Sequence, residues 1–420
     1  MKRIFISLFF FAFMWTAAGA DASPELLFVR WPANPDAVWY SFRIVPVTQH
    51  FGRKEMRPPI YEDGHVFRDS VMIEKEITDS YDGPGILCCQ VKAIGLDGQS
   101  ISAYSAPVPM EKAAQEMERY APKIRVKYHE QNGTVLLYPA YSFVKIPHAV
   151  SYEVEITDEE PENPDGCEPS VHRISQGIVT IPELFDELPR QGTVWWRVRG
   201  LDENGGPVGV WSEAEKIVND PAENWETGIL GDSISHGGGR MSYSPADWPY
   251  NYAYYLDFPT INMSRSGDKT DDLLRRFDAD VLPFHVRYLL IMGGTNNLRC
   301  GGTAEKVISD LEALQEKCRS GGIEPVLLTI PPIAPDRIWK YYQQPTAENW
   351  KAEFDKVNGW IRTQTHIDTA APFAMYEDMP ENFAADGLHP DKEAKEKMGK
   401  IINEKFPEIR KKISETKIQK

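Results

Sequence analysis

The chain has 420 residues, a formal net charge of −16 and 42% hydrophobic residues. This length accommodates two or three domains of about 100 to 200 residues each, and the apolar content excludes a mostly disordered protein. An acidic chain without basic clusters is poorly suited to phosphate backbones. Nucleic acid is therefore not an expected partner.

The N-terminus has the pattern of a secretory signal peptide over residues 1–20. Lys2 and Arg3 precede an apolar run that ends at Trp15, and a small-residue cleavage site follows at Ala20. The apolar run is shorter than the roughly 20 residues that a membrane span needs, so a cleaved leader is favoured over a transmembrane anchor. The sequence predicts a secreted or periplasmic protein that is cleaved near Ala20.

Five cysteines cannot all pair within one exported chain, so at least one thiol is expected to stay free. Their spacing does not indicate a zinc site. A bridge between Cys300 and Cys318 is one option, but the sequence does not establish the geometry that a disulfide requires. The pairing stays open among Cys88, Cys89, Cys167, Cys300 and Cys318.

The first half of the chain contains two copies of one pattern of alternating apolar strands. The segment FVRWPANPDAVWYSFRIVPV from Phe28 in the first copy corresponds to FVKIPHAVSYEVEITD from Phe143 in the second. Further along, QVKAIGLDGQSISAYSAP from Gln90 corresponds to WRVRGLDENGGPVGVWSEA from Trp196. Alternation with a period of two, separated by turn residues, is typical of β-sandwiches.

These copies resemble fibronectin type III domains. The resemblance implies two tandem β-sandwich modules, which we place at residues 24–112 and 122–220. A spacer or platform role is the simplest interpretation. Glycan binding by exposed aromatic side chains such as Trp39 or Trp195 is the alternative.

From Trp225 the pattern changes to alternating strands and helices, which is typical of a parallel α/β sheet. We predict strands near residues 227–230, 259–263, 288–292, 325–330 and 365–368, and helices around residues 248–256, 269–277, 303–319, 346–362 and 390–406. This order implies a three-layer, flavodoxin-like α/β/α domain with a sheet of about five parallel strands, over residues 225–415.

Polar motifs lie at the ends of these predicted strands. Ser233 ends the motif GDS after the first strand, Gly267 follows the second strand and Asn296 follows the third. Asp386 and His389 lie in the segment DGLHPD, before the last helix. Because the carboxyl ends of parallel strands meet at one edge of a sheet, we expect these residues to converge.

The residue types indicate nucleophilic catalysis. Serine is a weak nucleophile at its ordinary pKa and needs an adjacent base. His389 follows an acid by three residues in a glycine-containing turn, which allows one carboxylate to orient the imidazole. We predict that Ser233 is the nucleophile, His389 is the general base and then acid, and Asp386 is the orienting carboxylate.

In chain order, these motifs resemble the SGNH (GDSL-type) hydrolase superfamily over roughly the last half of the chain. The resemblance implies an oxyanion hole built from the backbone N–H groups of Ser233 and Gly267 and the side-chain amide of Asn296. It also implies ester hydrolysis through an acyl-serine, without a metal or a cofactor. The third block of the family usually carries an acid where this chain has Asn297, which we interpret as subfamily variation.

Residues near the serine loop are candidates for substrate contacts. They are His236, Trp248 and Tyr250, and for His236 a structural hydrogen bond is the alternative. Export, tandem β modules and nearby aromatic side chains favour acetylated polysaccharide or glycan as the substrate. The predicted function is a secreted O-acetyl esterase. The alternatives are a lipid-directed esterase such as a lysophospholipase, and a glycan-binding protein with a non-catalytic hydrolase domain.

Overall fold

The computed structural model describes residues 25–34, 36–51, 53–125, 133–223, 225–238 and 248–418. The predicted signal peptide and its cleavage site lie outside these residues. Over the described ranges, no helix combines the length and the apolar character that crossing a membrane requires.

Two antiparallel sheets that share one apolar core form the first part of the chain. Their strands are β1 (Leu26–Arg30), β2 (Trp39–His50), β3 (Arg53–Met56), β4 (Tyr61–Phe67), β5 (Ser70–Glu74), β6 (Ile86–Ile94), β7 (Val108–Pro109) and β8 (Ala114–Met117). The five-stranded sheet has the order β3-β2-β6-β7 with β4 beside β2, and the three-stranded sheet has the order β5-β1-β8. Leu27, Tyr40 and Ile73 lie in the shared core. Two single-turn helices, α1 (Glu76–Asp79) and α2 (Met110–Ala113), connect strands.

The next part of the chain is also rich in strands. Its strands are β9 (Lys123–Ile124), β10 (Val135–Leu136), β11 (Ala140–Val144), β12 (Ser151–Thr157), β13 (Arg173–Val179), β14 (Glu183–Phe185), β15 (Gly192–Leu201), β16 (Pro207–Val208) and β17 (Glu215–Asn219). One sheet has the order β13-β12-β15-β16 with β17 beside β15, and the other has the order β14-β11-β9. Phe143, Tyr152 and Trp196 lie in the core between them. The N-terminal region is thus strand-rich, and its assignment to two fibronectin type III modules stays a prediction.

The tryptophans considered for glycan binding are half-buried and have protein groups against their rings. The Trp39 ring stacks on His65 at 6.1 Å between centroids. The Lys216 ammonium lies 5.3 Å from the centroid of Trp195. Each indole therefore has a protein neighbour on its ring.

A six-stranded parallel sheet organises the C-terminal part, in the order β10-β19-β18-β20-β21-β22. Its further strands are β18 (Thr227–Gly231), β19 (Ile261–Asn262), β20 (Tyr288–Met292), β21 (Glu324–Leu328) and β22 (His366–Ile367). Each of these lies at or within one residue of a predicted strand. The sixth strand, β10, comes from the range assigned to the second β module, where Val135 pairs with Ile261. The prediction of about five strands missed it because a two-residue strand has no periodicity.

Helices cover both faces of this sheet. They are α3 (Ser233–His236), α4 (Thr270–Asp280), α5 (Thr295–Arg299), α6 (Ala304–Ser320), α7 (Pro335–Tyr342), α8 (Trp350–Ile361) and α9 (Lys392–Ile418). Along β20, Leu289 and Ile291 face the core that contains α4, α6 and α8, while Leu290 and Met292 face the core that contains α9. This alternation gives the α/β/α layering that the sequence predicted.

The helix predicted at residues 248–256 is instead two short 3₁₀ segments, Trp248–Tyr250 and Tyr252–Tyr255. Asn251 between them has extended backbone angles, and its side-chain oxygen accepts a hydrogen bond from the N–H of Ala253. This N-cap starts a new helical turn and interrupts the continuous helix.

All five cysteines are free thiols. Cys318 lies on the buried face of α6, whereas Cys300 is exposed at the end of α5. The bridge considered between these two residues is not formed.

Candidate active site

Ser233 is the first residue of the one-turn helix α3, directly after β18. Asp232 caps this helix, since its side chain accepts a hydrogen bond from Ile234 N–H at 3.0 Å. Gly237 ends the turn with a φ of +124°. The sharp strand-to-helix transition leaves the Ser233 side chain half-buried at the carboxyl end of the sheet.

The structure brings Ser233, His389 and Asp386 into one hydrogen-bonded chain. The Oγ atom of Ser233 lies 3.1 Å from Nε2 of His389, across 156 residues of sequence. Nδ1 of the same ring lies 2.8 Å from Oδ2 of Asp386. A serine hydroxyl, an imidazole and a carboxylate joined in this order are the groups that nucleophilic catalysis by serine requires.

Four donors surround the carboxylate of Asp386, which is 1% exposed. Oδ1 accepts the backbone N–H groups of Leu388 at 2.7 Å and His389 at 2.8 Å. Oδ2 accepts from the His389 ring and from the Tyr342 hydroxyl at 2.7 Å. Burial alone would raise the pKa of Asp386, but the adjacent His389 and these hydrogen bonds hold the pKa below its usual range. The group is therefore ionised at neutral pH.

The turn that carries this pair depends on Gly387, which has a φ of +80°. A Cβ atom there would lie 2.5 Å from the carbonyl oxygen of Ala334. The N–H of Ala334 donates to the carbonyl of Gly387 at 2.7 Å, so the two backbones are in direct contact. Only glycine fits this position without displacing the turn.

Each residue predicted to build the oxyanion hole has an N–H available. No described residue accepts a hydrogen bond from the backbone N–H of Ser233 or Gly267. Ser233 is the first helical residue, and its N–H has no partner within the helix for that reason. The Asn296 amide donates one hydrogen to the Asp268 carbonyl at 3.0 Å, which leaves its second N–H. Arg299 Nε donates to Asn296 Oδ1 at 3.1 Å and thereby sets the orientation of this amide.

Asn297, which stands where the family usually has an acid, has a structural contact. Its Oδ1 atom accepts the backbone N–H of Thr270 at 3.0 Å. Thr270 is the first residue of α4, so the amide satisfies one of the free donors at that helix end. A neutral oxygen is sufficient for this contact.

The His236 ring is buried and contacts protein groups through both nitrogens. The ring is 0% exposed, with Nε2 at 2.7 Å from the Tyr138 carbonyl and Nδ1 accepting from Ser266 N–H at 3.1 Å. Burial lowers the pKa of His236 to about 3, so the ring is neutral. Both ring nitrogens are used by the protein, and the imidazole joins the serine loop to the segment after β10.

Trp248 and Tyr250 both pack against apolar cores of the strand-rich region, and their predicted substrate contacts stay a prediction. Trp248 is half-buried against the apolar core of the second strand-rich part, and Tyr250, 5% exposed, belongs to the core of the first. Tyr250 also borders a cavity of about 790 Å³ together with Asp36 and Lys392. These rings pack the strand-rich region against the C-terminal part.

Sequence reasoning missed three polar residues at this site, namely Arg299, Tyr342 and Lys395. Lys395 lies in α9 and is 0% exposed, and its ammonium donates to the carbonyl of Ile234, the residue after Ser233. Burial lowers the pKa of Lys395 to about 7 and raises the pKa of Asp232 to about 6. The only available sequence signal was a lysine next to the apolar stripe of the last helix. Arg299 and Tyr342 had none, since neither α5 nor α7 was predicted.

Comparison with known proteins agrees with this geometry. The model of the GDSL-like Lipase/Acylhydrolase family matches residues 229–397, a range that includes every residue of the hydrogen-bonded chain. The C-terminal part contains a GDSL/SGNH hydrolase domain. That family is described as one of lipases and acylhydrolases.

The hydrolase domain is also similar to individual proteins. Thioesterase 1/protease 1/lysophospholipase L1 of Escherichia coli (strain K12) is 29% identical over 171 residues, which covers 40% of this chain and 76% of that protein. A lipase/acylhydrolase from Enterococcus faecalis is 25% identical, covers 43% of this chain and 94% of its own, and has a TM-score of 0.35. A GDSL-like lipase from Bacteroides thetaiotaomicron VPI-5482 is 17% identical and has a TM-score of 0.36. The similarity covers 44% of this chain and 87% of that lipase.

Proposed function

We propose that this protein is a serine ester hydrolase in which Ser233 is the nucleophile. The observation that carries the proposal is the chain of hydrogen bonds from Ser233 Oγ to His389 Nε2 and from His389 Nδ1 to Asp386. As Oγ attacks the ester carbonyl, its proton passes to Nε2, and the ionised Asp386 stabilises the resulting imidazolium.

The remaining steps use the oxyanion hole and His389. The tetrahedral intermediate places its oxyanion toward the N–H groups of Ser233, Gly267 and Asn296. On collapse, the bond to the alcohol breaks, and His389 gives its proton to the departing oxygen. Water then loses a proton to His389 and attacks the acyl-serine. When this second intermediate collapses, the bond between Oγ and the acyl carbon breaks, His389 returns its proton to Oγ, and the carboxylic acid leaves.

For the substrate we propose O-acetyl groups on polysaccharide or glycan. Two features support this choice: the predicted export of the chain and the strand-rich region that precedes the hydrolase domain. A lipid-directed activity is the second candidate, because the curated relative from Escherichia coli is named a thioesterase and lysophospholipase.

The test measures acetate release from acetylated polysaccharides together with cleavage of short-chain and long-chain nitrophenyl esters. Ser233→Ala is expected to lose roughly a million-fold in kcat, that is, to fall to background. Ser320→Ala, at the exposed end of α6, is the matched control and retains full activity. Cleavage confined to long acyl chains would favour the lipid candidate. Glycan binding without any Ser233-dependent cleavage would overturn the proposal in favour of a binding protein with a non-catalytic hydrolase domain.

A further inference from the structure

Tyr342, the last residue of α7, contacts both Asp386 and His389. Its hydroxyl donates to Asp386 Oδ2 at 2.7 Å and lies 3.3 Å from Nδ1 of His389. Its ring meets the imidazole edge-on, with 6.2 Å between centroids. The oxygen that orients the imidazole therefore accepts a second hydrogen bond from outside the turn at residues 386–389.

Helix α7 is held against that turn along its length. At its start, Ala334 N–H donates to the Gly387 carbonyl at 2.7 Å. One turn later, Arg337 Nε donates to the carbonyl of Ala384 at 3.3 Å. The Tyr342 contact is the third in this series, so the position of its hydroxyl is set by backbone contacts as well as by its own bond.

We propose that Tyr342 is a positioning residue that shares the Asp386 carboxylate with His389 and so limits the basicity of the imidazole. This inference rests on the proposed function for its kinetic consequence. A hydrogen bond to the ionised form of a carboxylate stabilises its charge and weakens its attraction for a neighbouring cation.

Other charged groups face this pair, and the test leaves them unchanged. Asp232, at the start of α3, attracts a protonated His389. The Lys395 ammonium on α9 attracts the carboxylates of Asp232 and Asp386. Asp391, directly before α9, stabilises the charged form of Lys395. Replacing only the Tyr342 hydroxyl keeps these groups in place, because the phenyl ring retains its packing against the imidazole.

The experiment compares Tyr342→Phe with the unchanged protein in the full chain. We expect the acidic limb of the pH profile of kcat/KM to move upward by about 0.5 to 1 pH unit. The same upward shift is expected in an NMR titration of the His389 ring, which does not require catalysis. Rate at the plateau is expected to fall by less than about ten-fold, since one hydrogen bond to the carboxylate is lost while the triad remains.

Tyr341→Phe is the matched control, because Tyr341 precedes Tyr342 on α7 and its ring contacts Lys340 instead. It is expected to leave both pH profiles unchanged. Unchanged His389 titration in Tyr342→Phe, with or without a lower melting temperature, would show a merely structural tyrosine and overturn the inference. If the unchanged protein has no Ser233-dependent esterase activity, the proposed function fails, and the NMR titration still decides the role of Tyr342.

Discussion

Val135 pairs in parallel with Ile261, so that a strand from the strand-rich region forms the edge of the hydrolase sheet. Val135, Leu137 and Tyr138 lie in the same apolar core as α4 and α6. The Tyr138 hydroxyl donates to Asp280 Oδ2 at 2.5 Å, and the Tyr138 carbonyl lies 2.7 Å from His236 Nε2. The hydrolase domain is structurally incomplete without this segment.

A fragment that begins at Trp225 is therefore expected to fold poorly. It lacks three buried side chains, each of which stabilises the folded state by about 1.5 to 3 kcal/mol when fully buried. Their sum is comparable to the whole stability of many domains. Thermal unfolding of this fragment against the full chain checks the prediction, with Leu137→Ala in the full chain as a milder version. A fragment as stable as the full chain would contradict it.

Replacement of Asn296 and of Asn297 is expected to have separable effects. Asn296→Ala removes the proposed oxyanion donor and should lower kcat by roughly 100 to 1,000-fold with the fold intact. Asn297→Ala removes the acceptor for Thr270 N–H at the start of α4 and should cost about 1 kcal/mol of unfolding free energy, with a much smaller effect on kcat. Steady-state kinetics and denaturant unfolding of both variants separate these outcomes. Equal losses of kcat would remove Asn296 from the oxyanion hole.

Arg299 is expected to act through Asn296. Its Nε atom donates to Asn296 Oδ1 at 3.1 Å, and its Nη1 atom donates to Gln344 Oε1 at 3.1 Å. Arg299→Met should lower kcat by about ten-fold, since the amide loses the contact that orients it. The same substitution in an Asn296→Ala background should have almost no further effect. Additive losses in this double-mutant cycle would mean that Arg299 acts by another route.

His236 makes stability depend on pH. Burial lowers its pKa from 6.5 to about 3, so between these values the unfolded chain binds a proton that the folded chain does not. The titration of His236 therefore leaves the free energy of unfolding unchanged well above pH 6.5. It lowers that free energy as the pH decreases below 6.5, by up to about 1.4 kcal/mol per pH unit. His236→Gln is expected to be less stable than the unchanged protein at pH 7.5, with a gap that narrows at pH 6 and pH 5. Denaturant unfolding at the three pH values measures this gap, and a constant gap would refute the prediction.

The sequence by itself determined the α/β order of the C-terminal part and the positions at which Ser233, Gly267 and Asn296 follow their strands. These features depend on local patterns: apolar strands, helical periodicity, and short polar motifs at strand ends. The SGNH hydrolase fold of that part is confirmed, while the catalytic roles of the residues and the fibronectin type III assignment stay predictions.

Only the tertiary structure decided that β10 completes the sheet, that His236 and Tyr250 are buried, and that Tyr342 reaches Asp386. Each of these depends on contacts between segments distant along the chain. A residue's neighbours in sequence do not record such contacts: Tyr342 and Asp386 are 44 residues apart, and His236 and Tyr138 are 98. A two-residue strand such as Val135–Leu136 likewise has no period to detect, and it forms because the edge of β19 offers unpaired backbone groups.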